Sequence, residues 1–441
     1  MALQAGFARI DITPPLGTSL QGYFSERLAD GILDPLLATA VAFDDGNKRA
    51  VVMSVDVIGF NQKLMDRIRP MIAEAIGTEK EGVFICCTHT HLGPGLTTQE
   101  QGYQNEEYID TFMKKLRDVA VLAVQDLAPA KLSYTRGEAK KVAFVRRFRM
   151  KDGSSCTNPG YQNPNIDHPL GEPDENSSLL IIKREGAPEI GIVNFQVHPD
   201  VIGGKTMSAD YPKFVRDTYE KLVDNSRCMY INGPQGDTNH IDVSLGADEC
   251  RRGYERSRYM GKKIALSVLE NYELAIPIEN TTINYGQKSY LAKFNKGEPE
   301  EIEPSAKISK LYYEGGFEAV KAAYPNEGHG MYHTAMVAKA NRITRLEKFP
   351  DEKELYLTAI SVGDVVIAGL PGEPFTDVGR GIKAGSKFTL TMAACCANGY
   401  EGYYPMQSAY DEAGYEAATA QYKAGTAENL IKVSLEVIDS L

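Results

Sequence analysis

The residues with the clearest chemical potential are Thr88-His89-Thr90-His91-Leu92-Gly93-Pro94-Gly95, directly after the apolar run Val83-Phe84-Ile85-Cys86-Cys87. Side chains two positions apart on a strand point to the same side. Both imidazoles are therefore expected to face one space at the strand's end, where Gly93-Pro94-Gly95 forces a turn. Paired imidazoles suit a divalent metal, although two buried histidines bonded to carbonyls would give the same pattern. His198 ends another apolar strand, Val193-Asn194-Phe195-Gln196-Val197, and Pro199 stops that strand behind it. Glu373 lies between turn formers in Leu370-Pro371-Gly372-Glu373-Pro374, again after an apolar run, where a solvated loop glutamate is the plainer reading. The strand Cys228–Ile231 feeds Asn232-Gly233-Pro234-Gln235-Gly236-Asp237-Thr238-Asn239-His240. That turn offers N–H groups to an oxyanion and Asp237 as an orienter for a ligand histidine. It reads equally as a tight turn in which Asp237 caps the next segment. A tyrosine-dense tail carries Tyr400, Tyr403, Tyr404, Tyr410 and Tyr415, a set that also suits interface packing. Two or three histidines and one carboxylate suit zinc with an open position for water, which lowers the water's pKa toward ~7 and polarises a carbonyl. There is no GxGxxG fingerprint, P-loop or Gly-x-Ser-x-Gly elbow.

The elements that must hold these residues alternate between β-branched apolar runs and helical patterns. Strands are predicted at Ala50–Val55, Val83–Cys87, Ser178–Lys183, Glu189–Val197, Cys228–Ile231, Leu355–Val362, Val365–Gly369 and Phe388–Ala393. A helix over Asn61–Ile76 places Leu64, Ile68, Ile72 and Ile76 on one face, with Pro70 as a kink point. A second runs from about Asn105 to Leu127. The stretch 146–177, rich in Pro, Asn, Asp and Gly, reads as a long functional surface loop. Residues 298–342 read as a helical insertion and 426–441 as a closing helix. The expected fold is α/β, with mixed β-sheets and flanking helices, organised as one catalytic domain over residues 1–441.

The chain has 441 residues, 48 Lys+Arg against 59 Asp+Glu, and a net charge of −11. That acidic balance disfavours nucleic acid and anionic membranes as partners. No window approaches the ~20 apolar residues of a transmembrane helix. The N-terminus lacks the basic and apolar regions of a signal peptide. The 7 cysteines include the adjacent pairs Cys86-Cys87 and Cys395-Cys396 in apolar runs, which read as reduced core residues and point to a cytoplasmic location.

At these motifs the sequence resembles the neutral (non-lysosomal) ceramidase family, zinc-dependent amidases of N-acyl sphingoid bases. The resemblance begins at Ala5-Gly6-Phe7-Ala8-Arg9-Ile10-Asp11-Ile12-Thr13-Pro14-Pro15. It runs in the family's order through Thr88–Gly95, the His198 strand, Gly236-Asp237, Leu370–Pro374 and the tyrosine tail. It implies that His89, His198, Glu373 and Tyr403 bind Zn2+, with His91 touching substrate or the bound water. Tyr403 is chosen over Tyr404 because the family's ligand tyrosine precedes two others by the separations seen to Tyr410 and Tyr415. Tyr415 then becomes a substrate-contacting hydroxyl, and the arginine at Arg146–Arg147, assigned to Arg147, a substrate contact. Two departures stand out. The family's Gly-Asp-x-Ser-Pro is Gly236-Asp237-Thr238-Asn239-His240 here, and no C-terminal immunoglobulin-like domain follows the tyrosines.

The resemblance therefore implies hydrolysis of an amide by metal-activated water, acting on a small N-acyl substrate, either lipid or polar. Asn239 offers a hydrogen bond where the family has serine, and His240 is a further acid–base candidate. A barrel-type metal-dependent amidohydrolase and a non-catalytic binding relative of the ceramidases are the alternatives.

Overall fold

The computed structural model describes residues 2–96, 106–249, 252–325 and 330–441. Its larger sheet contains β1 (Gln4–Asp11), β2 (Leu37–Asp44), β3 (Arg49–Val55), β4 (Val83–Cys87), β5 (Ala128–Glu138), β6 (Asn176–Arg184), β7 (Glu189–Phe195) and β8 (Ser226–Asn232). They run in the order β8-β7-β6-β5-β1-β2-β3-β4, with β9 (Ile276–Ile278) pairing on β5. The second sheet holds β10 (Ile283–Lys293), β11 (Glu352–Val362), β12 (Val365–Gly369) and β13 (Leu390–Ala394) in that order. Pairing is parallel for β3–β4, β7–β8 and β12–β13, and antiparallel between the other neighbours in the two sheets.

Strand alternation sends side chains to two faces, and both faces of each sheet are covered. Val41, Phe43, Val52, Phe84, Ile182, Ile192 and Ile231 pack against Ile360, Val362, Ile367 and Met392 of the second sheet. The intervening residues Ala38, Ala40, Ala42, Val51, Met53, Val55 and Ile85 face α1 (Gln62–Ile76) and α2 (Glu106–Gln125). Leu179, Ile181, Val193 and Phe195 face α3 (Tyr211–Leu222) and α4 (Tyr254–Leu269). The result is four layers, helix–sheet–sheet–helix, and not a ring of eight parallel strands, so the barrel-type alternative has no support in the fold.

The larger sheet bends until its end strands approach one another. The Ser54 hydroxyl on β3 donates to the Tyr230 carbonyl on β8 at 2.5 Å, and Asn232 donates from Nδ2 to the Thr88 carbonyl at 3.3 Å. This bend sets the loop after β4 beside the loops after β7 and β8. The crossover Leu370–Tyr404 joins them from the second sheet. Cys395 N–H bonds to the Asn232 carbonyl, and the Asn398 amide oxygen accepts from Ile85 N–H, both at 2.9 Å.

Helix α1 starts on Asn61, whose side chain accepts from Leu64 N–H at 2.9 Å, and stops at Gly77 in the left-handed region. It continues through Pro70. The predicted start of the second helix at Asn105 lies outside the described residues. The stretch 146–177 is not a plain loop: Arg147–Met150, Ser155–Thr157 and Ile166–Pro169 form a small three-stranded sheet. Within 298–342 lie α5 (Pro299–Ala323), bent at Gly316, and most of α6 (Tyr332–Leu346). The second sheet's outer face is covered by α7 (Thr376–Gly385) and by α10 (Thr426–Asp439), which follows the short helices α8 (Gln407–Glu412) and α9 (Tyr415–Thr419). Cys86, Cys87, Cys228, Cys395 and Cys396 are buried free thiols. Among the described residues no helix is long and apolar enough to cross a membrane.

Candidate metal centre

Two strand ends and one crossover meet in a buried corner. The loop after β4 brings His89 and His91, the turn after β7 brings His198, and the chain leaving β12 brings Glu373. The ring centroids are 5.2 Å apart for His89–His91, 4.9 Å for His89–His198 and 5.2 Å for His91–His198. One ring nitrogen of each histidine lies within 4.8 Å of the others. Nε2 of His89 is 3.2 Å, and Nε2 of His198 3.4 Å, from Glu373 Oε2. That oxygen has no aligned hydrogen-bond partner, although the residue is only 2% exposed.

The histidines converge for a reason other than strand alternation. Strand β4 ends at Cys87, and His89 sits in the left-handed region with φ 69°. Non-glycine residues adopt that conformation at a cost that surrounding contacts must offset. Here Thr88 N–H bonds to the Val55 carbonyl and His89 N–H to the Val57 carbonyl. The ring is then held by its far side, with Nδ1 2.8 Å from the Ile58 carbonyl. In the same way His198 Nδ1 is 3.4 Å from the Gln235 carbonyl. Backbone carbonyls at Nδ1 select the tautomer that leaves Nε2 unprotonated and aimed inward, as metal-ligating imidazoles require.

The electrostatics agree. Burial, aided by the Arg146 charge, holds His198 far below the usual imidazole value, and burial with the neighbouring His89 does the same to His91. Both rings are therefore neutral and hold free lone pairs. Burial alone would raise the Glu373 carboxyl, but the facing His89 and His198 and the Tyr400 hydroxyl outweigh it and hold the group well below the usual carboxylate range. Imidazole nitrogens aimed inward and an ionised carboxylate with an uncommitted oxygen form a donor set that fits a divalent metal.

The remaining predicted residues fall into two groups. Tyr403 is the parallel cross-strand partner of Glu373 in the short ladder Glu373–Pro374 with Tyr403–Tyr404. Its ring lies 5.8 Å from Tyr415 in a T-shaped contact, with the Arg146 guanidinium 5.4 Å from its centroid. Tyr415 thus faces the same corner. Arg147 does not: it pairs with Glu412 at 2.8 Å and lies over Phe375. Consecutive residues of extended chain point to opposite sides, and Arg146 is the one that turns to Tyr403.

The turn after β8 also differs from expectation. Three of its N–H groups are not free for an oxyanion, because Gly233, Gly236 and Thr238 donate to the carbonyls of Phe195, Pro374 and Gln235. Asp237 orients no ligand histidine: it accepts from the Thr376 amide at 2.8 Å and hydroxyl at 2.7 Å, bracing the start of α7. Asn239 donates to Asn158 Oδ1 at 2.8 Å and accepts from Ile241 N–H at 2.9 Å, so its amide is already engaged. His240 is 3% exposed, and neither of its ring nitrogens has a partner. Burial, with Arg252 and Arg256 nearby, lowers its pKa to about 3. No hydrogen bond or ring contact joins it to the cluster of three histidines.

Sequence reasoning passed over Tyr400, whose hydroxyl donates to Glu373 Oε1 at 2.5 Å and whose ring stacks on His89 at 6.0 Å. It also passed over Asp200, where burial, opposed by the Tyr23 hydrogen bond, raises the carboxyl pKa to about 6. The signal for Asp200 was its place in His198-Pro199-Asp200.

Neither family models nor curated proteins match the chain. Solved structures do. Neutral ceramidase from Pseudomonas aeruginosa matches with a TM-score of 0.75 at 17% identity, over 99% of this chain and 74% of that one. A structure described as a ceramidase complexed with C2 matches with a TM-score of 0.72 at 16% identity, over 99% and 75% of the respective chains. The mixed α/β fold is therefore the neutral ceramidase fold, as the resemblance in the sequence implied.

Proposed function

We propose that this protein is a zinc-dependent hydrolase that cleaves an amide bond of a small N-acyl substrate, ceramidase-like in its site. The carrying observation is the convergence of His89 Nε2, His198 Nε2 and the partnerless Glu373 Oε2 in one buried corner of the neutral ceramidase fold. His89, His198 and Glu373 would hold the ion, with Tyr403 beside them. When bound, zinc supplies Lewis acidity, activating water and polarising the amide carbonyl.

The chain's own side chains do the rest. His91, neutral and with both nitrogens unbonded, accepts a proton from the attacking water and returns it to the leaving amine. Tyr415 lies against Tyr403 beside the corner, where a hydroxyl donor steadies developing negative charge on the carbonyl oxygen. Asn239 takes no chemical part: its bonds to Asn158 and Ile241 make it a structural substitute for the family's serine.

The test is hydrolysis of short-, medium- and long-chain N-acyl p-nitroanilides by the protein as purified, after chelation, and after zinc is restored. The reading expects activity that follows zinc and falls about 100-fold or more in His91→Ala with zinc retained. Activity indifferent to chelation would overturn it. A zinc-loaded protein inert on every amide would favour a binding relative that has lost catalysis.

A further inference from the structure

His91 is the one histidine of the cluster without a carbonyl behind its ring, and what stands there instead is a carboxylate. Asp200 Oδ1 lies 3.9 Å from His91 Nδ1. The Tyr23 hydroxyl donates to that same oxygen, and the Tyr23 ring meets His91 edge-on at 5.5 Å. Arg27 fixes this assembly from above. Its guanidinium carbon is 3.9 Å from the Tyr23 centroid, and Nη2 donates to the carbonyls of His91 at 2.7 Å and Gln21 at 2.8 Å. Gly22, with φ 115°, lets the chain close against the imidazole: a Cβ there would lie 2.5 Å from Nδ1. Asp200 itself is delivered by the turn His198-Pro199-Asp200, while His91 N–H reaches the Pro199 carbonyl at 3.4 Å. One turn therefore places both the inner ligand histidine and the carboxylate behind His91.

We propose that Asp200, held by Tyr23, is the positioning residue of His91: its carboxylate favours the Nδ1–H tautomer and turns Nε2 toward the metal corner. The inference deepens the proposed reaction and rests on the proton-handling role of His91 in it. A carboxylate at one nitrogen of an imidazole leaves the other nitrogen as the acceptor, and stabilises the ring when it takes up a proton. The separation of 3.9 Å is longer than a hydrogen bond and of the kind that tightens when substrate fills a site. Asp200 has 30% of its side chain exposed, so a small movement is open to it.

The decisive experiment is nitrogen NMR of the zinc-loaded full chain with 15N-labelled histidine, assigned with His91→Gln, for wild type, Asp200→Asn, Asp200→Glu and Tyr23→Phe. Kinetics on the same N-acyl p-nitroanilides accompany it. The expected result is a single Nδ1–H tautomer for His91 in wild type, lost in Asp200→Asn and regained in Asp200→Glu. In parallel kcat falls about 100-fold in the Asn variant, with KM and zinc content unchanged, and recovers at least tenfold in the Glu variant. A His91 tautomer identical in wild type and Asp200→Asn overturns the inference, and so does an Asn variant with wild-type kcat. Should no amide be turned over by wild type, the hydrolase reading fails, while the tautomer measurement still decides the role of Asp200.

Discussion

Two polar clusters flank Tyr403, and they differ in how far their bonding capacity is filled. On one side Arg146 donates to Glu416 and to the Gly236 carbonyl, both at 2.7 Å. Glu416 also accepts from the Thr157 hydroxyl, and Asp237 accepts twice from Thr376. On the other side Glu373 Oε2 and both nitrogens of His91 have no hydrogen-bond partner. Buried polar atoms are nearly always paired. A filled cluster is scaffold. An unfilled one, with its lone pairs aimed at one point, is where an ion and a substrate complete the bonding. The glycine-rich turn belongs mostly to the filled side, since the amides of Gly233, Gly236 and Thr238 are spent on the fold.

The largest expected effect tests the filled side. Arg146→Ala leaves the fully buried Glu416 carboxylate without its main cation and should cost about 3–5 kcal/mol in denaturant unfolding. Arg147→Ala, whose partner Glu412 is partly exposed, should cost less than half as much. Equal losses would erase the distinction between the two arginines. On the open side, Tyr400→Phe removes the hydrogen bond that orients the Glu373 carboxylate, and zinc affinity measured by chelator competition should fall about 10–100-fold. An unchanged affinity would mean that the carboxylate is held without it.

His240 sharpens the comparison through pH. Its folded pKa of about 3 lies below the ordinary value near ~6.5. Between these limits the unfolded chain binds the extra proton, so stability falls as pH falls, by up to about 1.4 kcal/mol per pH unit from this group. His240→Gln should flatten the acid limb of unfolding free energy by that amount, whereas an unchanged slope would show that His240 is not buried neutral. The smallest effect belongs to Asn239→Ser. It installs the serine of the ceramidase motif this turn resembles, yet should shift stability by no more than about 1 kcal/mol and leave amide turnover within about twofold. A large gain in turnover would return that position to the catalytic machinery.

Much of the open side was legible in the sequence because each of its ligands follows an apolar strand and is locked by glycine or proline at the strand's exit: His89 before Gly93-Pro94, His198 before Pro199, Glu373 between Pro371 and Pro374. The carbonyls of Ile58 and Gln235 that aim the imidazoles were not, since backbone atoms carry no signal of residue type. Tyr400 could not be separated from Tyr403 in a run of tyrosines, and choosing between Arg146 and Arg147 required the alternation of the chain to be phased. Strands β1 and β2 were missed because they are built on small residues. Ala38, Ala40 and Ala42 have helix-forming propensity, but their small side chains let the helix layer lie close on the sheet. At Gly6 a Cβ would lie 2.0 Å from the Ala123 carbonyl of α2.

The central claim is that His198 and Glu373 are ligands of one ion. It is tested most directly by the zinc content, by elemental analysis, of folded His198→Ala and Glu373→Ala proteins after equilibration with equimolar zinc. The account predicts stoichiometric metal in wild type and little or none in either variant. Full occupancy in both would contradict it.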